Sequence, residues 1–596
     1  MTVSKDNYYN PFGQDLTQVT RRLTEFGPRR QSEHADTFRV VGGLNGILPF
    51  GWSWDAALIY GRTDWTNVNT GNIWKSRLQA AVGPTTQTVD PVTGKVTKVS
   101  CATGDAACVP LNLFGGSGSM TPAMAKYLSF SGVGSIENQL TSVQLNTAGE
   151  LPVTLLADRP LALAVGYEYR FEQGSDTPDP LTASGESSGN NRSATTGHFF
   201  TNEVYAELSI PIINHVPGVE NLEATASARI FDYNTFGTDW TYKLGARYTP
   251  VSDITFRGTY STAYRAPTIA ELFAGAYDNF PTISDPCSDL SNASADLKKA
   301  CAANGVSNPA GSGQTDTQLR SQNGGNPKLK PETAKTYTFG AVIEPSMVKN
   351  LSFTVDYYHI DITNAISAQG AGFILSQCYP SAGNSNPAAC ALVTRDASGF
   401  IDRISDLNVN VGGTKTAGVD ISARYSIPTE EYGRFGFGVD GNFLQYYDVI
   451  QPDGTIIHGR GNYDIGQLNN GLQGVYPTFK GIASVVWGLG GFGAGGTLHY
   501  IGNIKQCAAT DGTSTGGVCY DNPLHMERDV GAYATVDAFL SYGFKSTAGT
   551  TSLAVGVNNL FDAAPRTIYG ALTPNSDPTA YDYMGRFFYV RLGQRL

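Results

Sequence analysis

Nowhere do the 596 residues hold about 18 to 20 apolar residues in a row, the length a helix needs to cross a bilayer, so helical spans are excluded. The nearest stretch, 481–498, carries seven glycines and reads as two strands about Gly488-Leu489-Gly490-Gly491. Charge is scarce as well, at 16% against about 25% for an ordinary soluble domain, which excludes a disordered acidic chain. Lysine and arginine (41) fall short of aspartate and glutamate (52), so no cationic excess remains to neutralise phosphates, and nucleic acid is excluded as a partner. The seven histidines are scattered, and neither a His-x-x-x-His nor a closely spaced cysteine motif offers a metal site; no cofactor or metal is expected. The start, Met1-Thr2-Val3-Ser4-Lys5-Asp6, shows no apolar core of a signal peptide.

Glycine, by contrast, is abundant at 68 residues and aromatics reach 11%. Polarity alternates with period two along most of the chain. In 254–261 the residues Ile254, Phe256, Gly258 and Tyr260 fall on one face and Thr255, Arg257, Thr259 and Ser261 on the other. The stretches Tyr337–Ile343 and Val419–Tyr425 repeat the pattern. A soluble sandwich alternates too, so the connections decide. Short joins at Pro49-Phe50-Gly51, 149–152, 250–253, 345–347 and 545–548 alternate with long ones at about 66–136, 174–196, 265–331, 365–403, 450–474, 505–528 and 560–580, with a tight exception near Phe236-Gly237-Thr238. Short turns on one side and long loops on the other are the build of an antiparallel transmembrane β-barrel in the outer membrane. About 17 strands are expected, the first near Asp36–Leu48 and the last near Tyr581–Arg595, which makes 1–35 an extracellular loop remnant and 36–596 the barrel.

The eight cysteines form four close pairs, Cys101 with Cys108, Cys287 with Cys301, Cys378 with Cys390 and Cys507 with Cys519, each inside a long loop. Local disulfides in an oxidising compartment are expected. Two motif-like strings carry no chemistry. Gly488-Leu489-Gly490-Gly491-Phe492-Gly493 lacks the following helix that a dinucleotide needs, and Gly512-Thr513-Ser514-Thr515-Gly516 lacks the strand and helix of a nucleophile elbow. The chain reads as no enzyme.

Several words in chain order resemble one family. They are Asn10-Pro11-Phe12-Gly13, Tyr264-Arg265-Ala266-Pro267 with Glu271-Leu272-Phe273, Gly325-Asn326-Pro327-Lys328-Leu329-Lys330-Pro331-Glu332, Val557-Asn558-Asn559-Leu560-Phe561-Asp562 and Gly585-Arg586-Phe587-Phe588-Tyr589-Val590. Together they resemble the TonB-dependent receptors of the Gram-negative outer membrane. The resemblance implies a 22-stranded barrel with an N-terminal plug, active import of a bulky scarce solute of siderophore or oligosaccharide class, and TonB with ExbB and ExbD as partners through a preceding part. Against 22 strands, an odd count near 17 suggests a chain lacking its plug and about five strands, whose unmatched edges would aggregate; Leu596 stands where such barrels end in an aromatic. A monomer in outer-membrane lipid is expected, and a passive porin-like channel is the rival reading.

Arg265 and Glu332 are expected at a solvated rim, and Asn558–Asp562 at a strand end. Tyr357, Phe588 and Tyr589 suit an interfacial girdle, while Tyr277, Phe280 and Tyr379, within long loops, are candidates to stack on a ligand.

Overall fold

The computed structural model describes residues 2–17, 19–316, 318–452, 454–465, 473–509, 525–547, 549–568 and 575–595. Sixteen antiparallel ladders join seventeen long strands in chain order into one wall. They are β1 (Arg30–Ile47), β2 (Ser53–Ile73), β3 (Ser129–Glu150), β4 (Ala162–Thr177), β5 (Thr195–Val216), β6 (Val219–Tyr233), β7 (Gly237–Val251), β8 (Ile254–Arg265), β9 (Glu332–Ile343), β10 (Leu351–Thr363), β11 (Gly413–Thr429), β12 (Gly433–Ile450), β13 (Phe479–Leu489), β14 (Phe492–Ile501), β15 (Tyr533–Ser546), β16 (Gly549–Asn558) and β17 (Phe587–Arg595). A short ribbon, Ile456–His458, also pairs with β12. Among the described residues no ladder joins β1 to β17.

The expected count and turn parity hold, but the boundaries shift. β1 starts at Arg30 rather than Asp36, and two strands, β3 and β5, reach 22 residues, longer than a bilayer requires. The last strand starts at Phe587 rather than Tyr581. Asp582 caps the amide of Met584, Gly585 takes a positive φ of 67° and Arg586 donates its amide to Asp562, so 581–586 is a turn that delivers the chain to the strand. Gly490 and Gly491 of the glycine run form the turn between β13 and β14, while Gly488 and Leu489 still pair in the ladder.

Directly opposed residues of an antiparallel ladder share a face, so the register carries each face around the wall. Arg257 lies opposite Gly340, Gly340 opposite Asp356 and Asp356 opposite Asp420, and these form part of a polar inner face. Phe256, Ala341 and Val355 lie on the other. On β7 that outer face reads Trp240, Tyr242, Leu244, Ala246 and Tyr248. With about 3.3 Å rise per residue and a tilt near 40°, it covers about 20 Å along the membrane normal. Rings bound the band at both ends. Toward the long loops, Trp240, Tyr242, Tyr260, Tyr337, His359 and Tyr446 follow one another with centroids 5.0–6.1 Å apart. Toward the short turns lie Tyr248 with Phe256, Tyr425 with Phe437, and Phe492 with Tyr542. Tyr357 and Phe588 share this outer face, but Tyr589 does not. It sits opposite Gly556, and its ring occupies the space a Cβ there would need, because adjacent strand residues point to opposite faces.

Candidate functional site

Above the wall the long connections fold together around three cores. The first joins the N-terminal segment to 74–128, with Val3, Ala81, Val82, Leu111, Met124 and Leu128 buried together and Asn7 donating to the carbonyl of Gly83. The third gathers Ile504, Val530, Ile568 and Tyr581 from the last two long connections with Tyr533 at the start of β15, and Tyr463 and Val475 of the connection before them pack against it.

The second core merges 266–331 with 364–412. Strand Ser321–Gly324 pairs in parallel with Ile401–Asn410, which also pairs with Ile366–Ala368 and Val393–Arg395. Helices Ala295–Ala303 and Ala371–Cys378 pack behind, burying Cys301, Ile374, Leu375, Cys378 and Ile404. Both loops contribute to this one core, Leu290, Ala300, Val306 and Leu319 from the first and Ala371, Ile374, Leu375 and Ile404 from the second.

Charged groups tie the two loops inside this unit. Arg395, its side chain 4% exposed, places Nη1 and Nη2 each 2.7 Å from the two carboxylate oxygens of Asp285, and donates from Nε to the Tyr379 hydroxyl at 3.0 Å. Burial pushes the Asp285 carboxyl up, but the guanidinium and the amide of Cys287 outweigh it and hold the group below the usual carboxylate range. Burial likewise raises the Tyr379 phenol.

A second clamp fastens the unit to the wall. β8 ends at Arg265 and β9 begins at Glu332, as expected of these two residues. Arg265 Nη2 lies 2.7 Å from Glu332 and 2.9 Å from Glu271, while Glu332 accepts the amide of Ile366 from the neighbouring loop. Glu271 also closes a capping box with Thr268 at the first turn of Ile269–Phe273. The rim charges are thus spent on each other. At the end of β16, Asn559 and Asp562 take positive φ values of 49° and 55°, the turn geometry expected of them.

Three of the four expected disulfides are formed, Cys101–Cys108, Cys287–Cys301 and Cys378–Cys390, and all lie in the long connections. Cys507 and Cys519 lie outside the residues whose side chains are described. So do Gly512–Gly516 and Leu596. Tyr277 and Phe280 are 42% and 39% exposed on the second unit, whereas Tyr379 is 3% exposed beneath Arg395 and is no candidate for stacking on a ligand.

Beneath the loops, the inner face of β10–β15, the ends of β16 and β17 and the turn 580–586 enclose a cavity of about 940 Å³. Asp356, Asp420, Asp440, Asp537 and Asp582 line it beside Lys480 and His499. Two of these carboxylates are neutralised on the wall, Asp356 by Arg257 (Nε to Oδ1, 2.9 Å) and Asp440 by Arg424 (2.7 Å). Sequence reading missed this cavity, since its residues come from eight strands and acquire a common face only through the register. It missed the Asp285–Arg395 pair for the same reason, the partners being 110 positions apart.

Comparison with known proteins agrees with this architecture. No curated protein sequence matches the chain. Among solved structures, the siderophore receptor PirA from Acinetobacter baumannii is similar at a TM-score of 0.52 and 15% identity, and a variant of the ferric enterobactin receptor PfeA from Pseudomonas aeruginosa at 0.52 and 14%. Each match covers 94% of this chain and 62% of the other, so the chain spans less than two thirds of these relatives. The family model described as TonB dependent receptor-like, beta-barrel matches residues 2–560, and the chain belongs to that family of outer-membrane proteins.

Proposed function

We propose that this chain forms the wall and the capture surface of an outer-membrane importer for a bulky solute of siderophore or oligosaccharide class. The long loops face the outside, residues preceding β1 belong to that side, and TonB with ExbB and ExbD supplies the energy through a part of the receptor beyond this wall. The observation that carries the reading is the merging of long loops into cored, disulfide-braced units above a wide polar-lined wall. A simple diffusion pore has no need of such units. Tyr277 and Phe280 are the loop aromatics placed to meet the solute first. No bond is made or broken; the work is capture and passage.

The test is uptake of labelled iron chelates and of labelled oligosaccharides by cells carrying the receptor in its natural setting. Uptake that collapses without TonB, and that weakens when Tyr277 and Phe280 are both replaced by alanine, supports the reading. Uptake indifferent to TonB and linear in solute concentration would overturn it in favour of a passive channel.

A further inference from the structure

Asp406 lies in the middle of strand Ile401–Asn410 and is 1% exposed. Its Oδ1 accepts the amide of Gly370 at 3.1 Å, at the start of helix Ala371–Cys378, and its own carbonyl accepts the side-chain amide of Asn323 at 3.0 Å. The residue therefore touches both loops of the second unit. Its other oxygen, Oδ2, is buried with no hydrogen-bond partner among the described residues.

No cation faces it from the elements packed around it. Ile366–Ala368, the helix Ala371–Cys378 and the strand Ser321–Gly324 contain no charged residue, and Val393–Arg395 meets the strand at Ile401–Ile404, with Arg395 opposite Ile401 and bonded to Asp285. From Tyr277–Asn279 only the Tyr277 phenol faces Asp406. Asp278 points to the opposite face, where it pairs with Arg320 at 3.0 Å. On its own strand, Arg403 falls on the opposite face, where it donates to Gln322, and the same-face Asp402 is exposed, four residues along the strand. An isolated carboxylate in such a place is expensive, so the surroundings favour the protonated form. Burial accordingly raises its proton affinity above the usual carboxylate range, against the favourable amides of Gly370 and Gln369 and the Asn323 side chain.

We infer that Asp406 is a proton-dependent clasp between the two merged loops: neutral, it lets strand Ile401–Asn410 lie against the helix and Ser321–Gly324; ionised, it loosens them. The sign follows from linkage. A group whose folded proton affinity is raised gives its full stabilisation below the unfolded value of about 3.9 and loses it as pH rises through the folded value. Acid tightens this contact and alkali loosens it.

The test uses the full chain in detergent micelles. Infrared spectra taken through an acid-to-neutral titration should show a protonated-carboxyl band that persists to higher pH than the exposed carboxyls and disappears in Asp406→Asn. Amide exchange of 366–378 and 401–410, corrected for intrinsic chemistry, should speed up with rising pH in the wild type, by tenfold for each unit of displacement once the group is fully ionised. It should lose that dependence in Asp406→Asn and keep it in the exposed control Asp402→Asn. Absence of the wild-type band overturns the inference without any variant, and so does an unchanged pH profile in Asp406→Asn.

Discussion

Replacing Arg395 by methionine isolates the interaction that binds the two loops of the second unit. The substitution keeps an unbranched apolar side chain but removes both guanidinium bonds to Asp285 and the bonds to Gly399 and Tyr379. Asp285, whose side chain is fully buried, is left with the Ser312 hydroxyl and the Cys287 amide. Losing one partner of a buried ion pair costs about 3–5 kcal/mol, because the survivor stays desolvated. That corresponds to opening between about a hundred-fold and a few thousand-fold more frequent. Amide exchange of the full chain in micelles reads it directly, with 266–331 and 364–412 compared against the first unit's hairpin, in which Thr85–Val89 pairs with Val96–Cys101, as an internal reference. The double replacement Arg395→Met with Asp285→Leu removes both charges and should recover at least half of the loss, since apolar isosteres of buried pairs are often near neutral. A single variant that opens less than tenfold faster, or a double variant as unstable as the single, would refute the assignment.

Other outcomes follow from the same geometry. Phe256→Arg places a charge on the outer face at the short-turn end of the band, at a cost of up to roughly 1 kcal/mol, and should cut yield of inserted protein more than Thr255→Arg on the polar face; equal yields would mean the faces are misassigned. Arg265→Ala should make both loops of the second unit protease-sensitive while the wall stays intact, and Arg265→Lys should rescue only partly because the bidentate fork is lost. Asp285, with its proton affinity lowered in the folded chain, contributes stability above about pH 4 and loses it as pH falls through its folded value, so exchange of the second unit should accelerate in strong acid, and Asp285→Leu should abolish that acid limb.

The wall was legible because its signal is repeated. Period-two alternation, turn parity and the glycine turn at 490–491 each recur along many strands, and a slip of one residue would expose an entire face, so pattern and register constrain each other. Strand ends were less legible. β1, β2 and β3 run past the apolar band into water, where outward positions such as Arg62 and Glu137 are polar and the alternation fades although the ladders continue. The loop units were hardly legible at all. Cysteine proximity marked three braces, but Asp285, Arg395 and Asp406 look like ordinary loop charges until two segments about 100 residues apart are seen to share one core. Tyr379 was misjudged for the same reason, since an aromatic in a loop is exposed only if the loop has no interior.

The direction of the two edge strands bears on how copies of this chain meet. Sixteen antiparallel steps separate β1 from β17, so both run the same way, away from the long loops. Two copies held in one membrane orientation can therefore bring edge to edge only in parallel, whichever edges meet, and parallel ladders are the weaker kind. Antiparallel pairing of β1 with β1 requires one copy to be inverted, which a bilayer forbids and open solution does not. The membrane thus acts as an orientational filter on any pairing between copies through the eighteen-residue β1: the antiparallel mode is open in solution and closed to copies inserted the same way.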